Sequence, residues 1–250
     1  MTDIILNGCN GKMGNAVTKA VSERTDCRIV AGVDLYGDNV NYKVYRSFDE
    51  LDVSADVIID FSNPSVLDSM LSYAKKTTTP MIICTTGFNE SQVEQIKDAS
   101  NDVAVFYSGN MSLGINLIIE LSKKAAAVFS NNFDVEIIEK HHNQKIDAPS
   151  GTALMIADGI SQVLPDSQYV YDRHSYRQKR AKNEIGIHAV RGGTIVGEHE
   201  VIFAGHDEIF SLKHQALSKE VFAVGAVNAS VFLKNKSAGM YDMGDLLSQT

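Results

Sequence analysis

Short, wholly apolar segments alternate with amphipathic segments over residues 3–106, and this alternation constrains the fold more than any other feature. The apolar segments predict five β-strands, at residues 3–7, 28–33, 57–59, 81–84 and 103–106. Helices are predicted between them where apolar residues recur every three or four positions, near residues 13–21, 66–75 and 90–99. Strands that are apolar throughout and alternate with helices are typical of a parallel sheet covered on both faces. We therefore predict a doubly wound α/β domain.

The pattern changes after residue 111. A helix at 115–128, a strand at 134–138 and a helix ended by Pro165 are followed by predicted antiparallel strands at 185–190, 194–203 and 210–214, with a Gly192-Gly193 turn. The tail is helical again, with Val221, Val224, Val227 and Val231 on its repeat, and we expect it to pack on the first domain. The pattern therefore predicts a second domain that begins after about residue 111.

Composition excludes several functional classes. Hydrophobic residues make up 44% of the chain and charged residues 22%, as in ordinary globular proteins. The formal net charge of -8 provides no positive field for nucleic acid or an anionic membrane, so we expect neither as a partner. The three cysteines, Cys9, Cys27 and Cys84, lack metal-ligand spacing, and we expect reduced thiols. Without a secretory-signal pattern or a membrane-length apolar run, a cytoplasmic location is expected.

A glycine-rich loop lies between the first predicted strand and helix. Gly8, Gly11 and Gly14 are spaced G-x-x-G-x-x-G. At such a turn, glycines let the backbone approach a pyrophosphate, and the N–H groups and dipole of the helix attract its charge. The position favours a dinucleotide site, although a tight turn without a ligand has the same pattern.

Asp34 follows the second strand, twenty residues after Gly14, where a carboxylate can accept hydrogen bonds from an adenosine ribose. This placement favours NADH. A 2′-phosphate would be repelled by Asp34, but Lys12 could offset that repulsion, so NADPH remains an alternative. Asp34 could also be a solvated turn residue. The loops 85–87 and 108–111 follow the fourth and fifth strands, where ligands bind in open parallel sheets.

The segment EKHHNQKIDAPSGTA, residues 139–153, concentrates chemically active side chains. A metal site is one interpretation, but adjacent histidines in an extended segment point in different directions and a third ligand is missing nearby. A structural loop that merely starts a helix is another.

The third interpretation is an active site for an acidic substrate. Ser150, Gly151 and Thr152 start a helix whose N–H groups, with two hydroxyls, can hold a carboxylate. Lys145 adds positive charge. Histidine titrates near neutral pH and can deliver a proton where negative charge develops as a hydride arrives.

The same segment resembles the E-x-H-H-x-x-K-x-D-A-P-S-G-T-A signature of the 4-hydroxy-tetrahydrodipicolinate reductase family, formerly called dihydrodipicolinate reductase. The resemblance extends along the chain. It includes the loop at residues 8–14 and the segments 60–62, 85–87, 110–114, 186–199 and 241–243. Two positions depart from the family pattern: Cys84 stands where glycine is frequent, and Lys12 where arginine is frequent.

The resemblance implies a Rossmann-type domain formed by residues 1–111 and 219–250, with an inserted α+β domain, residues 112–218, for substrate binding and tetramerisation. His141 and Lys145 would be the proton donors, and His142, Ser150, Gly151 and Thr152 would contact a small cyclic dicarboxylate. The residues implied to line the NADH or NADPH site are Gly8, Cys9, Asn10, Gly11, Lys12, Met13, Asp34, Cys84, Thr85, Thr86, Ser108, Gly109, Asn110 and Met111. No metal is implied.

The implied activity is reduction of 4-hydroxy-tetrahydrodipicolinate to tetrahydrodipicolinate in the diaminopimelate route to lysine, by a homotetramer whose second domain closes over the substrate. Two alternatives remain at this point. Another amino-acid dehydrogenase, acting on homoserine or aspartate, would share the nucleotide fold but not the doubled histidine and lysine. A non-catalytic cofactor sensor would need the glycine loop but not the proton donors.

Overall fold

The structure, a computed structural model, describes residues 1–37, 40–175 and 177–249. The strands are β1 (Thr2–Asn7), β2 (Cys27–Val33), β3 (Val44–Tyr45), β4 (Val57–Asp60), β5 (Met81–Ile83), β6 (Ala104–Tyr107), β7 (Asp134–His141), β8 (Gln168–Val170), β9 (Glu184–Arg191), β10 (Gly197–Ala204), β11 (Ile209–Ala216) and β12 (Gly239–Tyr241). The α-helices are α1 (Lys12–Ser22), α2 (Leu67–Thr77), α3 (Glu90–Ala99), α4 (Leu113–Phe129), α5 (Gly151–Ser161), α6 (Glu220–Leu233) and α7 (Met243–Leu247). No helix of the described part is long and apolar enough to cross a membrane.

The chain forms two compact units. Unit 1 comprises Met1–Ser112 and the segment from Lys219 onwards, and unit 2 comprises Leu113–Ser218.

Unit 1 contains a seven-stranded parallel sheet with the order β12-β6-β5-β4-β1-β2-β3. Helices α2 and α3 pack on one face, where their apolar residues share a core with Ile5, Ile58 and Val105. Helices α1 and α6 contact each other, and α6 also contacts β1, β4, β5 and β6. The predicted doubly wound fold is confirmed, and parallel pairing brings the carboxyl ends of the strands to one edge.

Helix α6 has a different buried face from the one that its valines indicate. Of the four valines in the predicted repeat, only Val227 is buried, and Val224 is 43% exposed. The buried face consists mainly of small residues, and a Cβ on Gly225 would lie 1.7 Å from the carbonyl oxygen of Met111. Small residues allow this close approach, so shape rather than side-chain hydrophobicity decides which face packs.

The end of the chain completes unit 1. Strand β12 pairs in parallel with β6, and Phe232 of α6 has ring contacts with Phe106 of β6 and Tyr241 of β12. The tail therefore packs on the first sheet, as expected from its sequence.

Unit 2 contains a five-stranded sheet with the order β11-β10-β7-β9-β8. The prediction that its strands are antiparallel is only half correct. Strand β10 is antiparallel to β7 and β11, whereas β7 and β9, and β8 and β9, are parallel. The segment with Gly192 and Gly193 does not form a hairpin between paired strands, because β7 lies between β9 and β10.

One face of the second sheet shares a core with α4 and α5. Val135 and Ile137 of β7 belong to that core, together with Val201 of β10 and Ile187 of β9. Because side chains alternate along a strand, Glu139 and His141 project from the same face as Val135 and Ile137. The fold therefore places two polar side chains where the apolar core ends.

Candidate active site

Glu139 is the central polar residue at this end of the sheet. Its side chain is 0% exposed, and its Oε2 atom lies 2.6 Å from Nδ1 of His141. Arg191 donates from Nη1 to Oε2 at 2.8 Å and from Nη2 to Oε1 at 2.7 Å, and the backbone N–H of Ser150 donates to Oε1 at 3.0 Å. A bidentate arginine and two further donors satisfy this buried carboxylate.

The protonation of Glu139 and His141 follows from these contacts. Burial alone would raise the pKa of Glu139, but hydrogen bonds from Arg191, His141 and Ser150 outweigh burial and hold the pKa below its usual value. Burial lowers the pKa of His141, and the hydrogen bond and charge of Glu139 offset only part of that shift. Glu139 is therefore an ionised acceptor, and Nδ1 of His141 is the donor.

The two histidines of the motif have different environments. His141 is 9% exposed, whereas His142, the first residue after β7, is only partly buried. Lys145 follows in the turn, where its N–H donates to the carbonyl of His142 at 3.2 Å. Nζ of Lys145 lies 2.9 Å from Oδ1 of Asp147, whose side chain is 57% exposed. The ammonium is thus held near the start of α5 by a partner in contact with solvent.

Helix α5 begins at the predicted position. Ser150 is its N-cap, and the Ser150 hydroxyl accepts a hydrogen bond from the N–H of Ala153 at 3.2 Å. Gly151 is exposed, and apart from its chain neighbours and the backbone of its own helix, no atom of the described residues lies within 4 Å of the place where its Cβ would be. Thr152 follows in the first turn and is partly buried. The exposed helix start has the partial positive charge that favours a carboxylate.

His199, on β10, contacts the N-cap of this helix through a ring nitrogen. Its Nε2 lies 3.1 Å from the Ser150 hydroxyl, and its ring lies 5.2 Å from that of His141, centroid to centroid. Burial lowers the pKa of His199 to about 4, and the charge on His141 acts in the same direction. Nδ1 of His199 is buried and has no hydrogen-bond partner in the part of the chain that the structure describes. His199 is therefore a neutral ring packed against Ser150 and His141.

The glycine loop of unit 1 has little space for side chains. Gly8 has a φ of +77°, and a Cβ there would lie 2.5 Å from the carbonyl oxygen of Phe61. A Cβ on Gly14 would lie 2.2 Å from the carbonyl oxygen of Gly8. Cys9 is fully buried, whereas Lys12 is exposed and Met13 partly buried. Position 8 needs glycine for its backbone conformation, and α1 begins at Lys12, so Gly14 lies in the first turn of the helix.

A cavity of about 510 Å³ adjoins this loop. Gly8, Gly11, Asp34 and Arg46 are among its lining residues. The carboxylate of Asp34 accepts the N–H of Asn10 at 2.9 Å, so it also fixes the loop. The cavity lies at the carboxyl ends of β1 and β2, next to the start of α1. This position and the size of the cavity fit the adenosine half of a dinucleotide.

The remaining predicted cofactor residues lie further along the same edge of the sheet. Cys84, Thr85 and Thr86 follow β5. Ser108, Gly109, Asn110 and Met111 follow β6, and the Ser108 hydroxyl donates to the carbonyl of Asn110 at 3.0 Å. Among the described residues, no cluster of three or more possible ligands could hold a metal ion.

Asp60, at the end of β4, connects three of these loops. It accepts hydrogen bonds from Asn7 Nδ2 at 2.8 Å and from the Ser62 hydroxyl at 2.5 Å. The N–H of Ser62 also donates to the Thr85 hydroxyl at 2.9 Å. Burial raises the pKa of Asp60, although hydrogen bonds from Ser62, Thr85 and Asn7 oppose this shift. The carboxyl end of the sheet is thus cross-linked by polar side chains.

Sequence reasoning gave no role to several residues of these sites. They are Arg46, Asp60, Glu139, Arg191 and His199. Glu139 lies inside the quoted motif, and its position two residues before His141 places both on one face of a strand. That spacing was a usable signal. Arg191 and His199 come from other strands, and only the pairing of β9 and β10 with β7 reveals their proximity.

Comparison with known proteins gives full-length matches. The family model "Dihydrodipicolinate reductase, N-terminus" matches residues 2–111, and "Dihydrodipicolinate reductase, C-terminus" matches residues 114–247. The 4-hydroxy-tetrahydrodipicolinate reductase of Clostridium novyi is 49% identical over 248 residues, which cover 99% of this chain and 98% of that protein. That of Caldanaerobacter subterraneus subsp. tengcongensis is 49% identical over 250 residues, covering 100% and 99%.

Solved structures agree with these matches. Dipicolinate-bound dihydrodipicolinate reductase from Paenisporosarcina sp. TG-14 has a TM-score of 0.81 and 25% identity, with 97% of each chain covered. A myo-inositol dehydrogenase from Lactobacillus casei, solved with NAD(H) and myo-inositol, has a TM-score of 0.62 and 14% identity, covering 98% of this chain and 90% of that one. The second similarity concerns the fold alone.

Proposed function

The chain belongs to the dihydrodipicolinate reductase family, and we propose that it reduces 4-hydroxy-tetrahydrodipicolinate to tetrahydrodipicolinate with NADH or NADPH. This is the reduction step of the diaminopimelate route to lysine. One observation carries the assignment of the site: His141, bound to a buried carboxylate, lies beside the open start of helix α5. An imidazole next to an anion-binding helix start suits a reaction that protonates a dicarboxylate.

We propose that unit 1 binds the cofactor. Bound there, a reduced nicotinamide dinucleotide supplies the hydride. The loop from Gly8 to Met13 would place its backbone N–H groups at the pyrophosphate, with Asp34 at the adenosine ribose. Residues 84–86 and 108–111 would lie along the remainder of the cofactor. The tight backbone at Gly8 and Gly14 supports this assignment, because close backbone approach is what such loops provide.

We propose that unit 2 binds the substrate. The N–H groups at Gly151 and Thr152, with the hydroxyls of Ser150 and Thr152, would hold one carboxylate. His142 and Lys145 would contact the other carboxylate or the ring. Lys145 must exchange its contact with Asp147 for a substrate oxygen, which is feasible because Asp147 is more than half exposed.

Proton delivery is assigned to His141 and Lys145. Burial lowers the pKa of the free His141 side chain. A bound dicarboxylate brings negative charge to the site and favours the protonated imidazole, so binding and proton loading reinforce each other. Negative charge that develops on the substrate ring as it is reduced is then neutralised by a donor already in place.

We also propose that the enzyme is a cytoplasmic homotetramer that assembles through unit 2. One face of the second sheet packs on α4 and α5, and side chains on the other face, among them Val190 at 43% exposure and Ile209 at 72%, remain accessible. Uncovered apolar residues on a sheet are typical of subunit interfaces. Sedimentation analysis tests this assignment, and a monomer at micromolar concentration would contradict it.

The activity is tested by following nicotinamide absorbance with substrate freshly made by the preceding pathway enzyme, with NADH and NADPH in separate assays. We expect oxidation of at least one cofactor that depends on the substrate. Homoserine and aspartate, each with the oxidised cofactor, serve as comparison substrates. Cofactor binding without any turnover would instead support a cofactor-sensing protein.

A further inference from the structure

The Glu139 carboxylate joins the two halves of the proposed substrate site. One oxygen, Oε2, accepts the hydrogen bond from His141 Nδ1 at 2.6 Å, and the other, Oε1, accepts the N–H of Ser150 at 3.0 Å. Arg191 binds both oxygens. Because Arg191 is also bound to the carbonyl of Asp147 at 2.6 Å, the guanidinium is anchored at a further point of the same loop. The carboxylate therefore has a single well-defined position.

This arrangement distinguishes the two nitrogens of His141. An ionised carboxylate can only accept, so Nδ1 of His141 carries a hydrogen. The bond to Glu139 uses Nδ1 and leaves Nε2 outside that contact, and Gly197 flanks Nε2, with a hypothetical Cβ 3.2 Å away. Nε2 is therefore the nitrogen on which a proton can be exchanged with a ligand.

We infer that Glu139 is a positioning residue, which selects Nε2 of His141 as the proton-exchanging atom and, through Ser150, fixes that atom relative to the start of α5. This inference rests on the proposed function for the role of His141. Arg191 stabilises the arrangement, because without it the buried carboxylate would have no cationic partner besides His141. Neither Glu139 nor Arg191 has to touch the substrate for this role.

The charges around His141 determine the sign of the expected effect. Glu139, on the same strand, raises the pKa of His141, whereas Lys145 and Arg191 lower it. His199 on β10 faces the ring and is neutral at ordinary pH. Removing the charge of Glu139 takes away the principal group that favours the imidazolium. The protonated fraction of His141 at neutral pH must then fall.

The test combines NMR and kinetics on full-length Glu139→Gln. Nitrogen shifts of 15N-labelled histidine, with the His141 signal identified by its loss in His141→Gln, give the tautomer without any substrate. We expect the Nδ1–H tautomer in the wild type. In Glu139→Gln, whose amide can donate as well as accept, we expect a mixture or the Nε2–H form.

In the kinetics of Glu139→Gln, we expect kcat and its pH profile to change but not the affinity for the cofactor. We expect kcat to fall by about tenfold or more, and the alkaline limb of its pH profile to move to lower pH. The affinity for the cofactor should be unchanged. Glu198→Gln is the matched control, because Glu198 is also a buried strand carboxylate, paired with Lys140 at 2.5 Å and Lys213 at 3.0 Å, but projects from the opposite face. It should leave both the His141 tautomer and the pH profile unchanged.

An Nε2–H tautomer of His141 in the wild type would overturn the inference, even if Glu139→Gln does not fold. An unchanged tautomer and pH profile in folded Glu139→Gln would also overturn it. Failure of the proposed function would show differently, as a wild-type enzyme that does not oxidise either cofactor with the substrate present.

Discussion

Nε2 of His199 lies 3.1 Å from the Ser150 hydroxyl, so β10, an interior strand of the second sheet, is hydrogen-bonded directly to the N-cap of the proposed carboxylate-binding helix. His199 is 4% exposed, and its environment excludes the charged form at neutral pH. Helix caps are commonly formed by a local side chain alone. Here the cap is itself held by a buried ring from another element.

The burial of His199 predicts how stability depends on pH. The pKa of His199 is lowered from 6.5 to about 4 by burial, so the folded state binds this proton less tightly than the unfolded state. Its contribution to stability is therefore present above pH 6.5 and is lost as the pH falls from 6.5 towards 4, by up to about 3 kcal/mol. Urea unfolding at several pH values measures it.

In His199→Gln, the fall in unfolding free energy between pH 6.5 and 4 should be smaller than in the wild type. His206→Gln is the control, since His206 has a side chain that is 95% exposed. An identical pH dependence in wild type and His199→Gln would show that His199 does not titrate in this way.

Removal of either proposed proton donor should separate binding from chemistry. In His141→Gln and in Lys145→Ala, we expect turnover to fall by about a hundredfold or more, because proton transfer by a positioned group contributes about that much. Binding of NADH and NADPH, measured by fluorescence titration, should be unchanged. Wild-type turnover in both variants would place the proton transfer elsewhere.

Asp34 and Arg46 line one cavity and carry opposite charges, which predicts opposite effects on cofactor preference. In Asp34→Ala, we expect the affinity for NADH to fall more than that for NADPH, since the ribose loses its acceptor and a repulsive charge is removed. In Arg46→Ala, the affinity for NADPH should fall more, by about tenfold relative to NADH.

Titration of each variant with both cofactors measures these preferences. Arg28→Ala provides the control, because Arg28 pairs with Asp3 on exposed surface and does not line the cavity. Equal changes for NADH and NADPH in Asp34→Ala would remove this residue as a determinant of preference.

We expect Asp147 to compete with the substrate for Lys145. The Nζ to Oδ1 distance of 2.9 Å places an internal carboxylate where we propose a substrate carboxylate binds. In Asp147→Asn, we therefore expect KM for the substrate to fall by about two- to fivefold, the range given by an exposed ion pair. Steady-state kinetics measures the change. A higher KM would mean that Asp147 orients Lys145 for binding instead.

Local patterns in the sequence predicted the elements whose partners are close along the chain. Strands β1, β2, β4, β5 and β6 and helices α1 to α3 are predictable because each apolar segment needs cover on both faces, which only a parallel sheet with helices supplies. The short elements β3 and α7 are not predicted by this pattern. The start of α5 was predicted from Ser150, whose side chain caps the helix by a contact three residues away.

Local patterns do not predict contacts between residues that are far apart in the sequence. Strand β12 is three residues long and is defined by pairing with β6, far away in sequence. The insertion of β7 between β9 and β10 depends on long-range register, not on the Gly192-Gly193 turn. For the same reason, Arg191 and His199 had no predicted role, whereas their neighbour His141 did.

The composition of unit 1 from two separate segments determines the order in which the units can be completed. During synthesis, α6 and β12 leave the ribosome after the last residue of unit 2 has been made. Until then, the edge of β6 that β12 covers is unpaired, and so is the apolar surface that α6 covers, both of which favour association with other chains. The nascent dinucleotide-binding unit is therefore most vulnerable to aggregation while the inserted unit already has its entire sequence.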